Sequence, residues 1–302
     1  MNQEYLTTRE VSKYLKINEK LVYRLIQGGG IPCTRVTGKW LFPKTLIDDW
    51  MLVSVQEHRR RQGPGGTSQD RILFVGSDDL LLPHLARDLY STTPRVLFLW
   101  SPLGSLAGLK SLREGQGEIA GIHLLDPKTG EYNLSFLTSQ FPDMNLVLVR
   151  MARRQQGLMV QPGNPLGVRS VADLAGYSLR IINRQPGSGT RTLLDHLLAE
   201  TAIESRRLPG YEREVNTHGE VAQSVLHGEA DTGLGTYSAA RASGLEFIPL
   251  ATERYDLVIR KEVLGEDRFQ KLLDTLRSSQ LAGEALRLGG YDVREAGELI
   301  YL

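Results

Sequence analysis

Short apolar runs alternate with helical patterns along the chain from residue 71 onward. Each run is four or five residues long and rich in Ile, Leu, Val and Phe, which is typical of a buried strand. The runs are residues 72–75, 96–100, 119–122 and 146–149, and an apolar helix is predicted at 80–89. Strands that alternate with helices predict an α/β fold with a mostly parallel sheet, whose ligands bind beyond the carboxyl ends of the strands. The polar residues at such ends are Ser77, Asp78, Ser101 and Ser105.

The first fifty residues follow a different pattern. Thr7, Thr8 and Glu10 have the spacing of a helix capping box, and apolar residues then recur at helical spacing at 11, 14 and 15. The helical spacing restarts at 19–26, so the sequence predicts two short helices joined by a tight turn, as in a helix-turn-helix. The runs 34–36 and 39–42 flank Thr37 and Gly38 and predict a β-hairpin, after which Pro43 opens a last helix.

A segment rich in Arg, Gly and Pro separates these two patterns. It covers residues 58–70 and has too few apolar side chains to pack, which predicts a linker. We therefore expect an N-terminal domain at 1–56, a linker at 57–70 and a larger domain at 71–302.

Composition narrows the class of protein. The 302 residues are 41% hydrophobic and 24% charged, with a net charge of +1, so any basic surface must be local. One cysteine, Cys33, excludes an internal disulfide framework and a cysteine-based zinc finger. The polar N-terminus lacks a signal-peptide pattern, and no run approaches the ~20 apolar residues that span a bilayer. We expect a cytoplasmic protein without a cofactor or a metal site.

The N-terminal pattern resembles the excisionase-type helix-turn-helix of the MerR-like winged-helix group, over about residues 4–52. The resemblance lies in Tyr5 to Val11, Val22 to Ile26, the Gly30-Ile31-Pro32 step and the Lys39-Trp40 wing. It implies that the second helix enters the major groove of an operator and that the wing contacts phosphates. The groove residues would be Asn18, Lys20, Tyr23 and Arg24, and the phosphate contacts Arg35 and Lys39. Core packing of Tyr23 and a merely solvated helix face remain alternatives. One such unit covers few base pairs, so we expect a homodimer on double-stranded DNA.

A glycine-rich turn follows the apolar run that ends at Ile182. The segment 183–191 carries hydroxyl groups, two arginines and three small turn residues before a predicted helix at 192–198. Free N–H groups at a helix N-terminus, together with arginines and hydroxyls, suit an anion. An ordinary turn that needs glycine is the alternative.

From residue 72 onward the chain resembles the type II periplasmic-binding-protein-like domain, in particular the molybdate- and tungstate-binding variety. The resemblance lies in several blocks: Ala120 to Asp126, Arg154 to Leu158, Asn183 to Arg191, Gly228 to Gly235 and Glu253 to Leu257. It implies two α/β lobes, at about 71–150 with 247–302 and at about 155–243, joined by two crossing strands. A small ligand would bind between them. The implied ligand residues are Ser77, Ser105, Asn183, Arg184, Gly187, Ser188, Gly189, Thr190 and Asp231.

These resemblances imply a one-component transcriptional regulator that senses a small oxyanion such as molybdate or tungstate and catalyses no reaction. Two alternatives use the same cleft: a molybdopterin-related biosynthetic enzyme and an anion-storage protein. Asp78 and Asp79 favour a cationic or hydroxyl-bearing ligand unless they pair with arginine or face away. The histidines are scattered, which predicts surface or structural roles. We expect Arg184 and Ser188 to face solvent in an open cleft. Replacement of either residue by alanine should therefore change the stability of the fold little.

Overall fold

The chain forms two compact units, Met1–Ser68 and Gln69–Leu302. A computed structural model describes residues 5–28, 30–51, 71–176 and 179–302. The predicted linker at 57–70 lies outside the described residues.

In its described residues, the N-terminal unit combines a three-stranded antiparallel sheet, in the order β1-β3-β2, with three helices. Its elements are β1 (Tyr5–Thr7), α1 (Thr8–Tyr14), α2 (Glu19–Gln27), β2 (Thr34–Val36), β3 (Lys39–Pro43) and α3 (44–51). The predicted capping box is confirmed, because the Thr7 side chain accepts a bond from Glu10 N while Glu10 binds Thr7 N. The hairpin is also confirmed. Strand β1 was not predicted, since three residues are too few for a periodic signal.

A small apolar core holds this unit together. The fully or nearly fully buried side chains are Val11, Val22, Ile31, Phe42 and Ile47. They come from both predicted helices, the segment before the hairpin, the hairpin and the last helix, so the spacing of apolar residues in the sequence corresponds to one shared core.

The C-terminal unit is an α/β domain, which confirms the predicted fold class. Its first elements are β4 (Arg71–Gly76), α4 (Leu82–Thr92), β5 (Leu97–Pro102), α5 (Ser105–Arg113), β6 (Ile119–Ile122), α6 (Leu134–Gln140), β7 (Leu146–Val160), α7 (Asp173–Gly176), β8 (Ile181–Arg184) and α8 (Gly189–Glu200). They continue with β9 (Glu214–Val215), α9 (His218–Leu226), β10 (Thr232–Thr236), α10 (Tyr237–Ala242), β11 (Glu246–Arg260), α11 (Lys261–Leu264), α12 (Asp267–Leu276), α13 (Ser279–Leu288), β12 (Tyr291–Asp292) and β13 (Leu299–Tyr301).

One ten-stranded sheet runs through the domain in the order β5-β4-β6-β11-β7-β10-β8-β9, with β12 and β13 on β7. The pairs β4–β5, β4–β6, β8–β10 and β8–β9 are parallel. The prediction of a mostly parallel sheet is wrong in the middle, where β7 and β11 pair antiparallel over 15 residues each. These strands carry the chain out to the second lobe and back, so their directions must oppose.

The apolar core divides on either side of the two long strands. One lobe packs side chains from β4 to β6 and from the last helices, including Phe74, Leu85 and Phe269. The other packs side chains from α8, α9 and strands β8 and β10, including Leu193 and Val221. Strands β7 and β11 contribute to both lobes, with Met151 in the first and Leu158 in the second. Over the described residues, no helix is long and apolar enough to cross a membrane.

Candidate ligand-binding cleft

Strand ends and helix starts bring the first-lobe serines together. Ser77 follows β4 and Ser105 opens α5, and their Oγ atoms lie 2.8 Å apart. The His123 amide, just after β6, donates to Ser105 Oγ at 3.2 Å. Gly76 permits this convergence, because its φ is +113° and a Cβ there would lie 2.5 Å from Gly121 O. The side chains of Ser77, Ser105 and His123 are fully buried.

The glycine-rich turn of the second lobe faces these residues. Ser188 caps α8 by accepting a bond from Arg191 N at 3.2 Å. A Cβ at Gly189 would lie 2.1 Å from His123 O, so the first turn of α8 packs directly on the first lobe. Leu106 N also donates to Gly187 O at 3.2 Å. The cleft is closed here, which makes the expectation of solvent-facing Arg184 and Ser188 wrong: they are 1% and 0% exposed.

Arg184 ends β8 inside the closed cleft. Its Nη2 donates to Asn216 O at 2.6 Å and its Nε to Gln185 Oε1 at 3.2 Å, while Nη1 is buried without a partner. Burial lowers the pKa of Arg184 to about 10. The facing Asp78 has a raised pKa because of burial and the charge of Asp79, and Arg184 partly offsets that rise.

A buried ion-pair network, missed at the sequence level, crosses the floor of the cleft. Arg154 on β7 donates to Asp79 Oδ2 at 2.5 Å and to Glu253 Oε1 on β11. Gln156 Nε2 also donates to Glu253 Oε1, at 2.8 Å. Burial alone would raise the pKa of Glu253, but the Arg154 charge and the contact with His123 lower it to about 2. Asp79 is thus paired with an arginine. Such pairing offsets the negative charge of Asp79, so its presence is compatible with an anion in the cleft.

Short runs of polar residues inside two long apolar strands were the available signal for this network. Arg154 and Gln156 lie in the run 153–156 of β7, and Glu253 lies in the run 252–254 of β11. In a strand, alternate residues share one face. The pairing of Arg154 with Glu253 across the two strands places these polar residues on the cleft side.

Two histidines from opposite lobes meet in the cleft. His123 and His218 have ring centroids 6.4 Å apart and are 0% and 1% exposed. His123 Nδ1 lies 2.7 Å from Glu253 Oε2, whereas neither ring nitrogen of His218 has a partner. Burial lowers the pKa of both imidazoles, with Arg154 and Arg184 adding to the effect, so both rings are neutral near pH 7. The expectation of surface histidines holds for His227, which is exposed.

Among the described residues, more than half of the buried side-chain polar atoms without a partner lie in this cleft. Those in the cleft are His123 Nε2, Arg154 Nη2, Gln156 Oε1, Arg184 Nη1, Gln185 Nε2, His218 Nδ1 and His218 Nε2. An unsatisfied buried donor or acceptor costs about 1–3 kcal/mol, so a cluster of them marks a place where a polar ligand contributes the missing bonds.

Other predicted ligand residues have different positions. Asn183 uses its amide within the lobe, accepting from Arg184 N and donating to Tyr211 O. Thr190 Oγ1 lies in the cleft, 3.3 Å from Gln156 Nε2. Asp231 as a ligand residue is a wrong prediction, since it lies at the opposite end of the strands and binds Arg180 at 2.7 Å.

The predicted DNA-contact residues form an exposed surface on the N-terminal unit. Lys20, Tyr23 and Arg24 lie three and four residues apart on α2 and are all exposed, so Tyr23 does not pack in the core. Asn18 serves as the cap of α2 and accepts a bond from Leu21 N at 2.8 Å. Arg35 and Lys39 lie exposed on the hairpin. In the described ranges, no group of three His, Cys, Asp or Glu side chains is arranged to hold a metal ion.

Two relatives share sequence with this chain. A Bacillus subtilis (strain 168) protein, uncharacterized protein YvgK, is 29% identical over 97% of each chain. A Clostridium pasteurianum protein, described as an uncharacterized protein in the ferredoxin 2Fe-2S gene 5′ region, is 37% identical over 36% of this chain and 96% of its own.

Solved structures share the fold at low identity. One of them is a Clostridium perfringens protein with bound phosphate, provisionally described as a phosphate ABC transporter substrate-binding protein. It has a TM-score of 0.56 at 16% identity, and the match covers 77% of this chain and 99% of that chain. An H2O2-bound mutant of Corynebacterium glutamicum OxyR has a TM-score of 0.52 at 16% identity, covering 93% and 89%.

Two families match the sequence itself. Residues 5–52 match the helix-turn-helix domain and residues 86–277 match the PBP superfamily domain. The first is a DNA-binding domain and the second a substrate-binding domain, a combination that fits a ligand-sensing DNA-binding regulator. The chain therefore belongs to the PBP superfamily and carries an N-terminal helix-turn-helix domain.

Proposed function

We propose that this protein is a one-component transcriptional regulator whose closed cleft binds a small oxyanion of the molybdate or tungstate class. The observation that carries the proposal is the buried Arg184 guanidinium, which keeps one nitrogen without a partner beside the first turn of α8. A helix N-terminus and a buried cation favour negative charge at the same place.

The balance of donors and acceptors in the cleft supports an anion. Three of the unpartnered atoms, on Arg154, Arg184 and Gln185, can only donate, whereas the unpartnered Gln156 Oε1 can only accept. The bonds that Gln156 and Gln185 already make fix the orientation of both amides. An oxyanion offers several acceptor oxygens and suits this surplus of donors.

The DNA-binding half of the proposal is supported by the exposed face of α2. Lys20 and Arg24 can contact a major groove only if they are free of the core, and both are exposed. We propose that two copies bind a two-part operator as a homodimer in the cytoplasm. Analytical ultracentrifugation with and without operator DNA tests the dimer, and a monomer on a single site would contradict it.

Isothermal titration of the full chain with molybdate, tungstate, sulfate and phosphate tests the ligand. We expect molybdate or tungstate to bind tightest and Arg184→Ala to weaken binding. Arg180→Ala is the matched control, because Arg180 precedes the same strand but pairs with Asp231 away from the cleft. Failure of all four anions to bind would refute the oxyanion assignment.

Gel retardation tests the coupling between the two units. DNA selected from a random pool by the purified protein serves as the probe, and the binding anion is added or omitted. We expect the anion to change the amount of retarded DNA, because closure of the two lobes over a ligand is a hinge motion that can be transmitted to an attached domain. Unchanged retardation at saturating anion would contradict a sensing role.

A further inference from the structure

The charges already buried in the cleft compensate one another. Arg154 lies between Asp79 and Glu253, and Arg184 faces Asp78, so ionised Asp78 leaves one excess negative charge. Asp79, Arg154, Arg184 and Glu253 are each at most 2% exposed. A divalent oxyanion added to this set would be a buried charge without compensation, which is strongly unfavourable.

The groups whose protonation can change this balance are the two histidines and Asp78. His218 lies at the start of α9 and faces Arg184, Arg154 and His123. His123 faces Glu253, Arg154 and Arg184, and its Nε2 is unpartnered. Asp78 faces Asp79, Arg184 and Arg154.

The positions of the two imidazoles in the cleft are suited to contact with a ligand. Three of their four ring nitrogens are buried without a partner, and both rings lie beside the N-terminus of α8 or the Arg184 side chain. A neutral imidazole has one donor and one acceptor nitrogen, whereas a protonated one donates from both. The oxygens of an oxyanion can only accept hydrogen bonds, so their presence favours the protonated form of the imidazole ring.

We propose, on the basis of the proposed oxyanion function, that His123 and His218 contact the ligand and that the anion enters the cleft together with at least one proton from solvent. The proton binds a ring nitrogen of His218 or His123, or the Asp78 carboxylate, and the added positive charge or lost negative charge offsets one unit of the charge of the anion. Binding raises the pKa of these groups, so the affinity must rise as the pH falls between their free and bound pKa values.

The sign of the pH dependence also distinguishes ligand classes. An anion that takes up a proton binds more tightly at low pH, by about tenfold per pH unit for each proton taken up. A cationic ligand that used Asp78 would instead bind less tightly at low pH, because it needs the carboxylate. An anion held by Arg184 alone would show no dependence on pH.

Titration calorimetry of the full chain with molybdate and sulfate, at pH 6, 7 and 8, measures both affinity and proton uptake. At each pH, two buffers with different ionisation enthalpies are used, and the difference in binding heat yields the number of protons. We expect uptake of about one proton and an affinity that rises about tenfold per pH unit over part of this range.

His218→Gln removes a titratable ring but keeps a donor and an acceptor. We expect this variant to bind the anion with a flatter pH dependence and reduced proton uptake. His227→Gln is the matched control, because His227 lies exposed at the other end of α9. Thermal unfolding followed by circular dichroism verifies that both variants are folded, and the wild-type titration tests proton uptake without any variant.

Each result has one meaning. Absence of anion binding at every pH refutes the oxyanion function and this inference with it. Anion binding without proton uptake leaves the oxyanion function intact and overturns this inference alone. Proton uptake and anion affinity that are both left unchanged by His218→Gln would overturn the assignment of His218 as a ligand contact.

Discussion

Replacement of Ser188 by alanine separates two roles of one hydroxyl group. Ser188 Oγ accepts the bond that caps α8, from Arg191 N at 3.2 Å, and this leaves its hydrogen free to donate to a ligand. Its side chain is fully buried, so water cannot replace the lost bond to Arg191 N. We expect the variant to be less stable and to bind the anion more weakly.

The two effects have different sizes. Loss of a serine cap costs about 1 kcal/mol, which lowers Tm by roughly 2–4 °C in a domain of this size. Loss of one neutral donor to the ligand costs a further ~1 kcal/mol of binding free energy, or about fivefold in Kd. Thermal unfolding without ligand measures the first effect, and calorimetric titration measures the second.

Ser278→Ala is the matched control. Ser278 caps α13 by accepting a bond from Leu281 N at 3.1 Å, and its hydroxyl donates to Thr275 O at 2.7 Å. Because Ser278 is only partly buried, we expect an equal or smaller loss of Tm with no change in anion affinity. The reasoning is refuted if Ser188→Ala matches Ser278→Ala in both measurements, since Ser188 would then serve as a cap only.

Three further changes test other parts of the molecule. Arg184→Ala should weaken anion binding at least tenfold in calorimetry, because a hydrogen bond to a charged group is worth about 1.5–3 kcal/mol. Gly189→Ala should impede lobe closure, measured by small-angle scattering, and should weaken anion binding, measured by calorimetry. Gly283→Ala should do neither, because the space around its Cβ position is open. Arg24→Ala should weaken operator binding by ~1–3 kcal/mol, and Lys39→Ala should weaken all DNA alike and flatten its salt dependence in retardation assays.

Local patterns in the sequence were enough to predict the N-terminal unit. The capping box, the helical spacing of apolar residues and the Thr37-Gly38 turn each depend on neighbours within about four positions. Such signals are visible without knowledge of the rest of the fold. The hydrogen bond from Leu21 N to the side chain of Asn18 also joins residues that are close in sequence. The resemblance to known helix-turn-helix domains had assigned Asn18 to the DNA groove instead.

The turn after β8 was predicted for the same reason. A strand, a glycine at positive φ and a hydroxyl cap follow one another directly, with Gly187 at +80° and Ser188 at the cap of α8. The sequence could not show that this turn would be buried. Burial results from the contact of Gly189 with His123, two residues that are 66 positions apart, and only chain topology brings them together.

The sequence by itself determined the two fold classes, the strands at residues 72–75 and 119–122 and the order of strand, turn and helix around residues 183–198, because these depend on short-range periodicity and turn chemistry. The helix α8 begins at Gly189, three residues before the predicted start. The tertiary structure alone decided the antiparallel pairing of β7 with β11, and with it the Arg154–Glu253 ion pair across the two strands. It also decided that His123 and His218 are buried while Asp231 lies elsewhere. The physical reason is that burial, pKa and the partners of a charge depend on neighbours distant in sequence, which no local pattern encodes.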